Sequence, residues 1–177
     1  MRLIHTDQKG FTLIEVLIVV AIFAVVAVVT SAAIGQVVQS NRTSNHMVAV
    51  RQVQQAGYWV NRDGVQAQDI NTTESNGFPL TLNWTPWEGA LHTVVYNLTN
   101  CSGGVCQLER KETVGNTTTP VMGPAPVAQY IYFNTTAPSS TECSWNATER
   151  VLTLNVTATV GLQTETRTYE IKARPSA

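Results

Sequence analysis

The stretch that decides the fold lies near the N-terminus, where residues 9–34 read KGFTLIEVLIVVAIFAVVAVVTSAAI. Between residues 11 and 34 the one ionisable side chain is Glu15, and residues 16–29 are all apolar. A helix rises about 1.5 Å per residue, so a helix of this length would span a bilayer core of roughly 30 Å. The stretch therefore predicts a membrane-spanning helix and excludes an ordinary water-soluble globule.

Two features of the flanking sequence bear on how this helix is handled. The apolar run is longer than the roughly 7–15 residues of an ordinary secretion signal, although Ser31-Ala32-Ala33 leaves signal cleavage open as an alternative. The preceding decapeptide carries Arg2 and Lys9 against Asp7. This positive bias favours a cytoplasmic N-terminus and an external C-terminus.

Glu15 is the anomaly in the apolar run. A carboxylate costs on the order of 2.5–3.5 kcal/mol at the centre of a bilayer and less near the interface. Two interpretations are open on spacing alone: a carboxylate tolerated at the headgroup level, or a charge that requires a partner.

The ten residues from Lys9 to Ile18, KGFTLIEVLI, closely resemble the N-terminal signature of type IV pilins and type II secretion pseudopilins. The resemblance implies that a prepilin peptidase cuts between Gly10 and Phe11, after the leader charge Lys9, and methylates the new N-terminus. It also implies that Glu15 compensates the amino-terminal charge of a neighbouring subunit in a filament. An ammonium and a carboxylate buried together neutralise each other, whereas either alone is costly.

Helical periodicity continues beyond the apolar run. Apolar residues recur at spacings of three and four from Met47 to Val60, and no proline occurs before Pro79. We expect one helix from about residue 11 to about residue 67, whose second half packs on a sheet. The residues expected on the buried stripe are Met47, Val50, Val53, Gly57 and Val60.

From Phe78 onwards the period changes to two, which is typical of half-buried antiparallel strands. Six strands are indicated around residues 80–84, 94–98, 106–113, 131–133, 152–160 and 169–173. Breaks are expected at Gly103-Gly104, at Gly123-Pro124-Ala125-Pro126 and at Pro138-Ser139-Ser140. A helix followed by such strands predicts an α+β, pilin-like fold. The expected organisation is a leader (1–10), a transmembrane and filament-core helix (11–34), an amphipathic continuation (35–67) and an extracytoplasmic β-rich domain (68–177).

A narrower resemblance concerns the outer half of the chain. The segments Gln55–Tyr58, Arg62-Asp63, Val94–Tyr96 and Leu108–Arg110 are similar to W-type minor pilins and J-type pseudopilins. The absence of a proline around twenty residues into the mature helix points the same way. The resemblance implies a subunit at the filament tip that initiates assembly. Its implied partners are prepilin peptidase, other pilin or pseudopilin subunits, the inner-membrane assembly platform and, before assembly, membrane lipid.

Three cysteines lie on the side predicted to be exported, where disulfides persist. Cys101 and Cys106 flank Ser-Gly-Gly-Val between two strand patterns, so a bond across a hairpin is the natural pairing. Pairing of Cys143 with either one, or three reduced thiols, are the alternatives. His92 stands alone in a strand pattern, so no metal site is predicted.

Nine of the 12 asparagines occur in Asn-x-Ser/Thr, far more than the serine and threonine content gives by chance. N-glycosylation is one interpretation, and the predicted loops place Asn71, Asn116, Asn134 and Asn146 as its candidates. The alternative is that Asn and Thr share the solvent face of strands, as in Asn83/Thr85.

Other functions receive little support from the sequence. A net charge of -1 without a Lys/Arg patch excludes a strongly basic nucleic-acid-binding protein. No nucleophile, zinc or nucleotide-binding motif occurs, and no cofactor is expected. Asp63 and Asp69 alone are thin support for calcium. A tip adhesin or DNA- or surface-binding subunit, for which Trp87 is a candidate contact, and a membrane-anchored enzyme are the rival interpretations.

Overall fold

The computed structural model describes residues 10, 12–72, 76–87, 89–115, 122–134 and 140–175. Among the predicted site residues, Lys9, Phe11 and Asn116 lie outside this described part. The chain divides into two compact units, Met1–Asn41 and Arg42–Ala177.

Helix α1 runs from Leu13 to Gly64. Its start is capped by Thr12, whose carbonyl accepts hydrogen bonds from the backbone N–H groups of Glu15 (3.1 Å) and Val16 (3.2 Å). The Thr12 hydroxyl also faces the Glu15 N–H at 3.4 Å, the position of an N-cap side chain. The helix ends three residues earlier than the expected residue 67, at a glycine, which has the lowest helix propensity after proline.

The buried stripe of α1 in the second unit consists mainly of small residues: Ala49, Val53, Ala56, Gly57, Val60 and Gly64. Met47 was expected on this stripe but is 66% exposed, so that prediction is wrong. The reason is that close approach to the sheet selects small side chains over large apolar ones. At Gly57 an added Cβ would lie 2.2 Å from Cζ of Tyr169, so the tyrosine ring occupies the space that glycine leaves.

Within the described ranges, eight strands follow the helix, and all of their pairings are antiparallel. They are β1 (Asp69–Thr72), β2 (Leu80–Trp84), β3 (His92–Ser102), β4 (Val105–Val114), β5 (Met122–Tyr132), β6 (Glu142–Asn146), β7 (Val151–Val160) and β8 (Gln163–Lys172). The order in the sheet is β1-β2-β3-β4-β5-β7-β6, with β8 paired to β7. The predicted α+β class, a long helix followed by an antiparallel sheet, is confirmed.

Two details of the strand prediction are wrong. The sequence indicated six strands, and the structure adds β1 and β6, which have four and five residues and are too short to show a clear alternation. The break expected at Gly123–Pro126 lies inside β5, where the pairing with β4 shifts register repeatedly. Proline lacks a backbone donor and is tolerated at such irregular positions.

The core of the second unit lies between the helix and the inner face of the sheet. Leu80, Leu82 and Trp84 point inward from β2, while Thr81 and Asn83 point outward. The same alternation recurs on β7, where Leu152, Leu154 and Val156 are buried. Trp84, which is 6% exposed, belongs to the same core.

Candidate functional site

The first candidate site is the start of α1. Gly10 is exposed and lies outside the helix, and a Cβ added to it would meet no atom within 4 Å. Its predicted cleavage partner Phe11 and the leader residue Lys9 lie outside the described residues. Glu15 occupies the first turn of the helix, where the helix dipole favours a negative charge.

The side chains that follow Glu15 form an exposed apolar surface. Every Leu, Ile, Val and Phe residue from Leu13 to Val29 has at least 44% of its surface accessible. Such a continuous apolar surface is not stable in water and marks a contact with lipid or with other apolar helices. Within the described residues, α1 is long and apolar enough to cross a membrane.

Two hydroxyls near the end of this apolar run are internally satisfied. Thr30 Oγ1 donates to the carbonyl of Val26 and Ser31 Oγ to that of Ala27, each at 2.8 Å. A hydroxyl that bonds the carbonyl four residues earlier needs no other partner, so both residues are compatible with a hydrocarbon or helix-packed setting.

A second site, which the sequence did not indicate, lies inside the second unit at the end of α1. The carboxylate of Asp63 accepts hydrogen bonds from Arg110 Nε (2.7 Å), Arg110 Nη2 (3.3 Å) and the Tyr96 hydroxyl (2.5 Å). The side chains of Asp63 and Arg110 are only 1% and 2% exposed. Asp63 thereby ties the helix to β3 and β4 through two charge-assisted bonds and one phenol bond.

The ion pair continues outward as a chain of polar contacts. Arg110 Nη2 also contacts Glu112 Oε2 at 2.9 Å, and Glu112 Oε1 lies 2.9 Å from His92 Nδ1. His92 stacks on Trp84 with a centroid distance of 5.2 Å. Trp59 of α1 covers Arg110, whose guanidinium carbon lies 5.4 Å from the ring centroid. Asp63, Arg110 and Glu112 each therefore face a partner of opposite charge.

The electrostatics follow from this geometry. Burial, reinforced by the charge of Asp63, raises the pKa of Tyr96 well above its usual range, so its hydroxyl stays a donor. Burial alone would lower the pKa of Arg110, but its hydrogen bonds and the charge of Asp63 outweigh this and raise it. For Glu112, burial alone would raise the pKa, but the hydrogen bonds from His92 and Arg110 prevail and lower it.

The lowered pKa of Glu112 makes stability depend on pH. Because the carboxylate form is favoured in the folded state, its contribution is complete above the ordinary pKa of 4.5 and is lost as the pH falls through the lower, folded pKa. We expect Glu112→Gln to be less stable than the wild type at pH 7 and the difference to shrink as the pH falls below about 4.5. Thermal unfolding of the detergent-solubilised chain between pH 3 and 7, followed by near-ultraviolet circular dichroism, checks this.

The matched control for that experiment is Glu109→Gln. Glu109 lies on the same strand but alternates to the other face from Arg110. We expect its variant to keep the pH profile of the wild type. A difference between Glu112→Gln and wild type that stays constant across the range would contradict the assignment.

The structure pairs two of the three cysteines. Cys101 and Cys106 form a disulfide across the β3–β4 hairpin, while Cys143 is a buried free thiol whose pKa burial raises to about 12.

Asn71 is exposed on β1, which is a strand and not the expected loop. Asn146, also expected in a loop, is the exposed last residue of strand β6 and donates to Glu149 (3.0 Å), whereas Asn134 is half-buried outside the strands. Glycosylation at these positions stays a prediction.

The two carboxylates considered for calcium do not share a site. Asp63 is occupied by Arg110, whereas Asp69 accepts a hydrogen bond from Asn83 (3.3 Å) on the outer face of the sheet. Over the described ranges, no group of three or more His, Cys, Asp or Glu residues is placed to hold a metal ion.

Comparison with known proteins bears on the first site. No curated protein and no solved structure matches the chain. Residues 5–31 match the family model described as the prokaryotic N-terminal methylation motif, which confirms the resemblance seen in the sequence. Together with the long apolar helix, the motif indicates membrane anchoring, processing by prepilin peptidase and assembly into a filament. Over residues 5–31 the chain therefore carries the prepilin signature of type IV pilins and pseudopilins.

Proposed function

We propose that this chain is a minor pilin or pseudopilin that enters a type IV pilus, a competence filament or a type II secretion pseudopilus, at the tip or during initiation of assembly. The observation that supports it best is the capped α1, which begins at Leu13 and exposes apolar side chains along its first turns. The chain acts as a structural subunit and as a substrate of the peptidase, and its own residues carry out no chemical step.

In this proposal the helix has two successive environments. Before assembly, residues 11–34 cross the cytoplasmic membrane once, with the β-rich domain outside. The peptidase cuts between Gly10 and Phe11 and the new terminus is methylated. In the filament, neighbouring helices replace lipid around the same apolar side chains, so one surface serves as both anchor and filament core.

Glu15 has a role only in the second environment. An isolated carboxylate in an apolar bundle is costly, and the positively charged N-methylated amine at a neighbour's new terminus removes that cost. Glu15 thereby favours insertion of a helix in register beside another. The Thr12 cap, which holds the Glu15 backbone in the first turn, fixes where along the helix this charge is presented.

The test is Glu15→Val. We expect normal processing but at least about tenfold less chain in sheared filaments, the factor that a loss of ~1.4 kcal/mol produces. Immunoblots of membrane and filament fractions measure both. Thr30→Val is the control, because it removes a polar group from the same helix without removing charge. Equal incorporation of Glu15→Val and wild type would overturn the assembly role.

A second role, contact of the filament tip with a surface or ligand, is favoured by one observation. Trp87, on the loop between β2 and β3, is 94% exposed. A large aromatic ring displayed in this way provides a stacking surface for an apolar or planar ligand group. This role rests on a single exposed ring, so it stays secondary to assembly.

A further inference from the structure

A cleft of about 370 Å³ lies between α1 and β8 in the second unit. Its helical wall is formed by Gln54, Tyr58 and Asn61, which recur every three or four residues along α1, and its other wall by Arg167 and Tyr169 of β8. The walls therefore combine the period of a helix with the period of two of a strand. The volume falls at the lower end of the range of about 300–1,000 Å³ that is usual for small-molecule sites.

Two tyrosine rings give the cleft its apolar surface. The ring of Tyr169 fills the space beside Gly57, where an added Cβ would lie 2.2 Å from its Cζ atom, and its hydroxyl donates to the Val53 carbonyl (3.1 Å). The ring of Tyr58 is 62% exposed and meets the edge of Trp59 at a centroid distance of 5.8 Å. Tyrosine rings present a flat apolar face to a ligand at a low cost in conformational entropy.

The uncharged polar groups of the cleft are two side-chain amides. Those of Gln54 and Asn61 make no hydrogen bond to any described residue. Each amide carries two N–H donors and one carbonyl acceptor, so it can both donate to and accept from the hydroxyl groups of a ligand. Convergent polar groups of this kind beside an apolar surface are typical of small-molecule sites.

The charges at the cleft balance. Among the described residues that line it, Arg167 carries the one charge, and its Nε atom lies 3.2 Å from Oε1 of Glu165. Both residues alternate with exposed ones along β8 and so share the face that carries Tyr169. Because a carboxylate already neutralises the guanidinium, the cleft offers no unpaired cation to a phosphate or carboxylate group. This balance favours a neutral ligand over an acidic peptide, a lipid headgroup or a nucleic acid.

We propose that this cleft binds a neutral carbohydrate, as one or two rings of an oligosaccharide. A sugar ring has a face of C–H groups, which packs on an aromatic ring, and a rim of hydroxyl groups, each of which donates and accepts a hydrogen bond. Tyr58 and Tyr169 receive the C–H face, and the two amides bond the hydroxyls. The paired Arg167 and Glu165 place a donor beside an acceptor, which suits two adjacent hydroxyls. The inference does not rest on the filament role, because all of these residues belong to the second unit.

Saturation-transfer-difference NMR tests the proposal, because it detects weak binding. The full-length chain is solubilised in a detergent without a sugar headgroup. The probes are three neutral trisaccharides, namely maltotriose, cellotriose and tri-N-acetylchitotriose, and the acidic trisaccharide trigalacturonate. We expect saturation transfer to at least one neutral probe and none to trigalacturonate. Absence of transfer to all three neutral probes, or equal transfer to trigalacturonate, would overturn the proposal.

Variants of the lining residues locate the bound sugar. We expect Tyr58→Ala and Gln54→Ala/Asn61→Ala each to weaken binding about tenfold, the factor that a loss of ~1.4 kcal/mol produces, at an unchanged unfolding temperature. The matched control is Trp87→Ala, which removes a more exposed ring from the loop between β2 and β3 and leaves binding unchanged. Binding that is lost in Trp87→Ala and kept in Tyr58→Ala would place the sugar on that loop and refute the assignment to the cleft.

Glu165→Gln tests the charge balance on which the choice of ligand depends. The substitution leaves Arg167 without its carboxylate, so we expect the variant to gain saturation transfer to trigalacturonate. Glu170→Gln, on the other face of the same strand, is the control and stays without such transfer. A Glu165→Gln variant that discriminates against trigalacturonate as the wild type does would contradict the selection of a neutral ligand by this pair.

Discussion

Asp63→Ala is expected to lower the free energy of unfolding of the second unit by about 3–5 kcal/mol, because it leaves the Arg110 guanidinium buried without its counter-charge. The same change removes the acceptor of the Tyr96 hydroxyl, which is also buried. Urea unfolding of the detergent-solubilised chain, followed by tryptophan fluorescence, measures the difference, since Trp59 lies over Arg110.

Arg62→Ala is the matched control for this experiment. Arg62 also approaches the Asp63 carboxylate, at 3.9 Å, but its side chain is half exposed and its ion pair is screened by water. We expect it to cost less than about 1 kcal/mol. A loss below about 1 kcal/mol for Asp63→Ala would contradict the assignment of the pair as a buried tie.

Replacing Asp63, Tyr96 and Arg110 together separates the effect of buried charge on stability from the effect of packing. In Asp63→Leu/Tyr96→Phe/Arg110→Met no buried charge or hydroxyl remains, and apolar groups of similar volume fill the site. Buried ion pairs replaced in this way often keep or gain stability, so we expect the triple variant to be more stable than Asp63→Ala. The Asp63, Tyr96 and Arg110 side chains would then serve to fix the register of the fold, because they determine which strands meet the end of α1.

Gly10→Val is expected to stop processing completely and to leave a full-length precursor in the membrane. Gly10 is exposed and an added side chain would meet no atom within 4 Å, so the substitution does not disturb the described structure. Any loss of cleavage therefore arises at the peptidase, whose site must accommodate the residue before the cut bond. Intact-mass spectrometry of the membrane fraction distinguishes precursor from mature chain.

Gly35→Ala provides the matched control for the processing experiment. Gly35 also has open space around it, but it lies within α1, far along the chain from the cut. We expect its variant to be processed as the wild type is. Mature chain of normal mass from Gly10→Val would refute cleavage after Gly10.

The N-terminal part of the molecule was predictable because its information is contiguous. Ten neighbouring residues carry the motif, and membrane length is read from an uninterrupted apolar run. The strands β2, β3, β4, β7 and β8 were indicated for a related reason, since alternation over several residues reports a buried and a wet face. These signals are local in the chain and need no knowledge of which element meets which.

What could not be predicted depends on contacts between distant residues. Asp63 and Arg110 are separated by 47 positions, and nothing local pairs them. The alternation along β4 did carry a signal, however. Arg110 follows Cys106 and Leu108 on the inward face of the strand, and a buried arginine needs a partner. The prediction for Met47 was wrong because it chose the buried face of the helix by hydrophobicity, whereas that face is determined by where small residues leave space for the sheet.

The disulfide between Cys101 and Cys106 has a consequence for the order of maturation. The bond joins residues only five positions apart, and constraining so short a loop in the unfolded chain contributes about 2 kcal/mol. The two-residue turn at Gly103-Gly104 and the ladder between β3 and β4 already bring the cysteines together. The sheet would thus form before the bond closes, and reductant should fray the end of one hairpin without unfolding the domain.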